Sequence, residues 1–439
     1  MVNYVRAYYY LHCMKRRAFW SRDKLKAHQD ERLRKIVRYA YDHVPLYHEK
    51  FRKAGIKPSD VKGVEDLKKI PVLRKDEVRK NLDRMVSIDY DIAKLKVLRT
   101  SGSTGQPLRI YLTNAEDELR KAKHLRANIA CGQRIRDRWI TITSPFHFGE
   151  TTRLQRILGF YVPIPVSVFL DTATQVSFIG RMKPDVLDGY SSSLLLLAKE
   201  VKRRGIETIR PRFIIGGSEL IGDSSCQFIE KVFDAPFYDQ YSCVEMERLA
   251  WQCPEKIGYH MDVDTIIMQF VDKNGDEVSA GEKGEIICTS LFNYAMPFIR
   301  YAVGDVGALL NDECVCGRKL PLMKPIEGRR DSFVLLPNGK VFSPRAFTVA
   351  IGMFKWYDHI EQFRIVQRKI DFLEVYIKMG DGGVNENVLA TELVAHLKKS
   401  LNIEDETVDF KVRFVDDIPL DKSGKLMIVL SKLDESVCT

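Results

Sequence analysis

Long apolar runs are missing from this chain of 439 residues. Lys15, Arg16 and Arg17 interrupt the aromatic stretch YYYLHCMKRRAFW (8–20) well before the roughly 20 residues a membrane-crossing helix needs, and no later segment reaches that length. The first residues also lack an unbroken apolar core followed by a cleavage pattern, so the chain reads as a cytoplasmic protein without a membrane span. Its nine cysteines are odd in number and scattered, which excludes a disulfide framework as the basis of the fold and leaves most of them as reduced core thiols. Internal repeats and low-complexity tracts are absent as well. Acidic residues are in short supply only at one end. Residues 1–100 hold 26 Lys/Arg against 13 Asp/Glu, and the rest of the chain holds 43 against 46. Much of that excess lies in LKAHQDERLRKIVRYAYDHVPLYHEKFRKAG, where Leu33, Ile36, Val37 and Ala40 recur at helical spacing. A solvated amphipathic helix accounts for the charge, and nothing further supports a nucleic-acid partner.

What is present reads as α/β. After basic helices over residues 1–96, strands and helices alternate: KLKVLRT, LRIYLT, DRWITITS, VSVFL, VLDGY, RFIIGGS and APFYDQYS are strands, with helices between them, which is the pattern of parallel α/β layers. From about residue 257 the texture becomes antiparallel, with short β-rich runs and Gly-bearing turns. A last segment holds the strand pair EQFRIVQRKIDFLEVYIKM, the helix NENVLATELVAHLKKSLN and the strand TVDFKVRFVDD. The expectation is a large N-terminal region, 1–330, of parallel α/β layers plus an antiparallel β subdomain, followed by a small α+β domain over 331–439.

The segment RTSGSTGQPLR (99–109) packs hydroxyls and glycines between two apolar runs. Free amides and hydroxyls on a flexible backbone suit a polyphosphate, and a plain Gly/Ser turn is the rival reading. It is not the Walker form, because Gln106 stands where a phosphate-binding lysine is expected. Four further stretches follow in order: GGSEL (216–220), YDQYSCVEME (238–247), IRYAVGDVG (299–307) with IEGRRDSF (326–333), and PLDKSGKL (419–426). Together they resemble the motif series of the adenylate-forming enzymes that include acyl-CoA synthetases. YDHVPLYHEKF, LKKIPVLRKDEVR and CVCGRKLPLMKPIEGRRD are similar to the phenylacetate-CoA ligase branch, which also includes coenzyme F390 synthetases and CapK-type proteins.

The resemblance implies ATP-dependent activation of a small-molecule carboxylate as acyl-AMP, then transfer to the thiol of CoA, with Mg²⁺ as cofactor. Thr100, Ser101, Gly102, Ser103, Thr104 and Gly105 would steady the outer phosphates. Gly216, Gly217 and Ser218 would line the adenine pocket with Tyr241 against the base, and Glu219 and Asp239 would also bind the nucleotide. Glu245 would hold Mg²⁺ through a hard oxygen, Asp305 would accept the ribose hydroxyls, and Arg329 would contact nucleotide oxygens. Asp331 matches the family's hinge, which makes the C-terminal domain mobile, and Lys425 would bridge carboxylate and α-phosphate as a point charge. His147, Phe148 and Tyr190 lie where the acyl pocket of such enzymes begins, and a planar acid would stack on them. Phe146 and Phe148 as plain core filling is the alternative. Among similar proteins a homodimer is a common arrangement.

Ser242, Val244 and Val303 also depart from the family pattern. These changes keep open a non-catalytic accessory role of the CapK kind in polysaccharide synthesis, while AMP transfer to an acceptor hydroxyl, as in F390 synthetases, is the alternative that intact Glu245, Asp305 and Lys425 favour alongside the ligase. Independently of the family, ECVCGRK offers Cys314 and Cys316, and CPEKIGYH offers Cys253 and His260. Three thiolates and an imidazole make the ligand set of a closed structural Zn²⁺ site, with incidental core thiols as the alternative.

Overall fold

A computed structural model describes residues 3–100, 107–148, 151–380, 383–403 and 408–433. The chain folds as two compact units, one of Met1–Gln133 and Tyr238–Pro325, the other of Arg134–Phe237 and Ile326–Thr439.

In the first unit, helices start where a side chain can satisfy an orphan amide. Asn3, Ser21 and Thr113 accept from the N–H groups of Arg6, Lys24 and Glu116, and Thr113 with Glu116 forms a reciprocal capping box. The Arg22–His43 helix buries Leu25, Leu33, Ile36, Val37 and Ala40, the stripe its spacing predicts. Each fully buried leucine of this kind contributes about 1.5–3 kcal/mol. The Asn114–Ala130 helix is unusual in burying charge, including Glu116, Glu118, Arg120, Lys123 and Arg126. Arg126 pairs with Asp262 and lies 2.8 Å from Asp264, and a charge out of water needs such partners.

The antiparallel half of this unit follows. Strands Leu309–Leu310, Leu322–Met323, Tyr259–Met261, Glu247–Gln252 and Phe237–Cys243 lie side by side in that order. A second antiparallel group joins Ile266–Val271, Gly284–Ser290 and Tyr301–Gly307. The segment 70–75 is sewn to the last of these: the Leu73 amide donates to the Arg300 carbonyl and the Ala302 amide to the Leu73 carbonyl, both at 2.9 Å.

The second unit carries the parallel layers. Phe213–Gly217, Val186–Tyr190, Trp139–Thr143 and Pro163–Ser167 form a parallel group in that order, and helices Thr172–Met182, Ser191–Arg203 and Asp223–Phe233 accompany them. Ile140, Ile142, Leu187, Leu194, Leu197, Ile214 and Phe237 are among its buried core. The near-continuous apolar character of these strands is what a sheet covered on both faces demands. Residues 326–439 add a four-stranded sheet in the order Asp409–Phe414, Phe372–Met379, Ile360–Lys369, Val429–Ser431, with helices Pro344–Gly352 and Glu386–Ser400 closing its core. The chain re-enters this unit at Ile326, a few residues before the boundary expected at Arg330.

Candidate functional site

The loop that raised the first functional question hangs from a short hairpin. Lys96–Arg99 and Arg109–Leu112 pair antiparallel, with Arg99 opposite Arg109. Thr100 closes its base, its amide donating to the Leu108 carbonyl and its hydroxyl accepting the Leu108 amide, each at 2.9 Å. That hydroxyl accepts from backbone and keeps its own proton to donate. Ser101, Gly102, Ser103, Thr104 and Gly105 lie outside the described residues.

Within the first unit, two of the separated motifs meet. Tyr241 donates its hydroxyl to Asp305 at 2.8 Å, across 64 positions of sequence. Burial, with the Asp305 carboxylate adding to it, raises the Tyr241 phenol well above its ordinary range, so it stays a neutral donor. Asp305 is not a turn aspartate: it sits within the Tyr301–Gly307 strand and is 8% exposed. Asp239 accepts from the Tyr259 hydroxyl at 2.7 Å.

Glu245 occupies the tight turn joining Phe237–Cys243 to Glu247–Gln252, rather than a helix start. Its Oε1 accepts the Tyr301 hydroxyl at 2.8 Å and lies 3.6 Å from the Lys75 ammonium. The backbone of the turn is held as well. The Asn293 side-chain Nδ2 donates to the Glu245 carbonyl and Lys123 Nζ to the Met246 carbonyl, both at 3.1 Å. Burial drops the Lys123 ammonium to about 8. A single buried carboxylate on a fixed turn is the kind of oxygen ligand Mg²⁺ takes alongside substrate phosphates, so the donor chemistry fits.

Within the second unit, GGSEL and PLDKSGKL are tied together. Glu219 accepts the Ser192 amide at 2.8 Å through one oxygen and the Leu426 amide at 2.5 Å through the other. Asp421 shapes the turn before Leu426 by accepting from the amides of Ser423 and Lys425, and Gly424 takes a φ of 83° that favours glycine. The Lys425 ammonium lies 5.5 Å from the Tyr190 ring centroid, within cation–π range. Gly216 has a packing reason: an added Cβ would fall 2.1 Å from the Phe237 ring. Gly217 ends the same strand, and Ser218 after it takes a positive φ of 68°. Arg329 is exposed, and Asp331 lies in a short turn where it accepts the Ser332 hydroxyl. His147 and Phe148 are exposed beside the Pro145–His147 turn, whereas Tyr190 is buried. Phe146 is 86% exposed, so it does not fill the core.

The four proposed metal ligands come together. The ligand atoms of Cys253, His260, Cys314 and Cys316 all lie within 4.8 Å of one another. Cys253 and Cys314 sulfurs are 3.5 Å apart, and the Cys316 sulfur is 3.3 Å from His260 Nε2. Bonds of about 2.3 Å to sulfur and 2.0 Å to nitrogen put tetrahedral ligand atoms about 3.4–3.8 Å apart, so these residues fit a small tetrahedral ion. His260 Nδ1 faces the Leu320 carbonyl at 3.4 Å, the outer contact that orients a ligating imidazole. Burial lowers the imidazole to about 4 and keeps it neutral. Gly317, at a φ of 81°, turns the chain back after the C-x-C pair.

Lys75 and Tyr301 went unmarked in the sequence. Tyr301 lies inside the IRYAVGDVG stretch and Lys75 inside LKKIPVLRKDEVR, and those positions were their signal.

No family model matches the chain. It is 27% identical to the phenylacetate-coenzyme A ligase of Thermus thermophilus, with 85% of this chain and 86% of that protein covered. It is 23% identical to Protein CapK of Staphylococcus aureus, with 92% and 89% covered. Among solved structures, a 2-hydroxyisobutyryl-CoA ligase in the postadenylation state, in complex with 2-HIB-AMP, matches with a TM-score of 0.81 at 22% identity, covering 96% of this chain and 92% of that one. An anthranilate CoA ligase matches with a TM-score of 0.59 at 16% identity, covering 78% and 67%. The fold is therefore that of the adenylate-forming CoA ligases, and the resemblance read from the motifs, to the phenylacetate-CoA ligase and CapK branch, is borne out. Among the described residues no helix is long and apolar enough to cross a membrane.

Proposed function

We propose, for a chain whose relatives are phenylacetate-CoA ligases and CapK, that it is an AMP-forming carboxylate–CoA ligase. In the first step a carboxylate oxygen of the substrate attacks the α-phosphorus of ATP, and the bond to pyrophosphate breaks. In the second, the thiolate sulfur of CoA attacks the acyl carbon, and the bond to AMP breaks. Glu245 is the carboxylate for Mg²⁺, which when bound supplies positive charge to the phosphoryl oxygens. Asp305 accepts the ribose hydroxyls with Tyr241 fixing its orientation, and Tyr241 and Gly216–Ser218 take the adenine. Thr100 and residues 101–105 form the loop for the outer phosphates, Asp239 and Glu219 support the nucleotide, and Arg329 contacts its oxygens. Lys425 bridges carboxylate and α-phosphate, and Asp331 is the hinge between the two steps. His147, Phe148 and Tyr190 belong to the acyl pocket. Cys253, His260, Cys314 and Cys316 hold Zn²⁺ in a structural role, since four protein ligands leave no open position.

The observation that carries this reading is the bond from the Leu426 amide to Glu219, which ties the turn of a remote terminal lysine to the GGSEL motif within one unit. The test is pyrophosphate exchange with Mg²⁺-ATP and a panel of carboxylates, with and without CoA. Exchange that requires a carboxylate is the expected outcome. Nucleotide binding without exchange for any acid would favour the second reading, an accessory role of the CapK kind, which the CapK similarity over 92% of the chain and the departures at Gln106, Ser242, Val244 and Val303 support.

A further inference from the structure

The second unit has two buried cores. Leu187, Leu194, Leu197 and Ile214 belong to the parallel layers, and Phe347, Ile365, Val375 and Leu389 to the segment after Ile326. Among the described residues, Leu420 alone crosses from the later segment to pack against the first core, and it is only partly buried. Polar contacts fasten the seam instead. Arg345 reaches Asp223 at 3.2 Å, and the Ser225 and Tyr357 hydroxyls share a hydrogen bond of 2.5 Å. The third fastener is Lys199, on the Ser191–Arg203 helix. Its ammonium donates to the Ile360 carbonyl at 2.5 Å and to the Glu361 carbonyl at 2.9 Å, and stands 5.4 Å from the Tyr357 ring centroid.

Those two carbonyls sit where the Ile360–Lys369 strand shifts register against Phe372–Met379, between Ile360 and Gln362. Such an irregularity takes backbone groups out of the ladder, and an ammonium with three donors suits them. The same strand carries the lysine turn. Arg364 donates to the carbonyls of Met427 and Pro419 at 2.9 and 2.7 Å, and Ile365 lies opposite Val429 in parallel register. A grip on the start of this strand therefore reaches the PLDKSGKL turn through two direct links.

We propose that Lys199 is a positioning residue for adenylation, holding the start of the Ile360–Lys369 strand against the parallel layers and thereby fixing where the Lys425 ammonium stands. This rests on Lys425 acting in the first step of the proposed ligase. Lys199 touches no substrate, and the second step, which does not use Lys425, does not depend on its grip.

The test compares the wild type, Lys199→Met and Lys199→Arg in two half-reactions: carboxylate-dependent pyrophosphate exchange, and thioester formation from a supplied acyl adenylate and CoA. Lys199→Met keeps the stem and loses the donors. It should slow exchange about tenfold to a hundredfold, the range for charged hydrogen bonds, and leave thioester formation within about twofold. Lys199→Arg should recover part of the exchange rate. Adding Lys199→Met to Lys425→Ala should cost nothing further, because a residue that acts through Lys425 has nothing left to position. Equal losses in both half-reactions would mean that Lys199 only supports the fold, an unchanged exchange rate would mean that its grip positions nothing, and losses that add in the double variant would mean that it acts apart from Lys425; each overturns the proposal. A wild type without carboxylate-dependent exchange overturns the ligase reading itself, and this inference with it.

Discussion

Gly216 shows how one residue can carry two demands. Its motif points to an adenine pocket, yet its missing Cβ is also what lets the buried Phe237 ring approach, since a methyl there would lie 2.1 Å from the ring. Gly216→Ala should therefore destabilise the second unit by about 1–3 kcal/mol, the usual range for overpacking a core. Thermal unfolding checks this: an unchanged midpoint would mean that Phe237 moves aside freely. Glu245 teaches the complementary lesson. An acid in YDQYSCVEME is legible as a candidate ligand, but its partners Tyr301 and Lys75 lie far away in sequence. A charge finds its counter-charge by folding, and no local spacing rule describes that pairing.

At the scale of elements, the antiparallel strands bring the candidate metal ligands together. His260 lies on Tyr259–Met261, opposite Trp251 of the neighbouring strand, and Cys253 follows directly from that strand. Cys314 and Cys316 sit in the loop before Leu322–Met323, which pairs with the His260 strand. An ion held by all four would staple two loops of the same sheet. Protein purified without chelator should contain one equivalent of zinc by elemental analysis, and Cys314→Ser should lose it and melt several degrees lower. A variant that keeps both its zinc and its melting temperature would sink the Cys₃His assignment. Most of the strand and helix pattern is legible because period and turn residues are local properties, although VSVFL (166–170) holds only the end of the Pro163–Ser167 strand. The C-x-C pair and the Cys/His pair were also legible as spacings. That they share one point is an expectation from residue type, and strand register is what realises it.

At the scale of the whole molecule, the candidate residues divide between the units: Tyr241, Glu245 and Asp305 in the first, Gly216–Glu219, Tyr190 and Lys425 in the second. Lys425 gives the clearest test of the assignment, because the proposed role requires its charge for one step only. Lys425→Ala should slow adenylation, read as pyrophosphate exchange, by about a hundredfold to a thousandfold, the scale for losing one transition-state charge contact. Thioester formation from a supplied acyl adenylate should persist. An unchanged exchange rate would remove Lys425 from the reaction.

By itself the sequence determined the α/β fold class, the order of the motifs, the apolar stripe of Leu33, Ile36, Val37 and Ala40 and the identities of the candidate metal ligands. These follow from periodicity, turn chemistry and residue type, which act over a few positions. Tertiary structure alone decided that Tyr241 faces Asp305, that Glu219 holds the Lys425 turn and that Lys75 stands before Glu245, and it closes the four candidate metal ligands on one another. Those pairings join residues tens to hundreds of positions apart, and burial makes each polar group seek whichever partner the packed chain brings within a few ångströms.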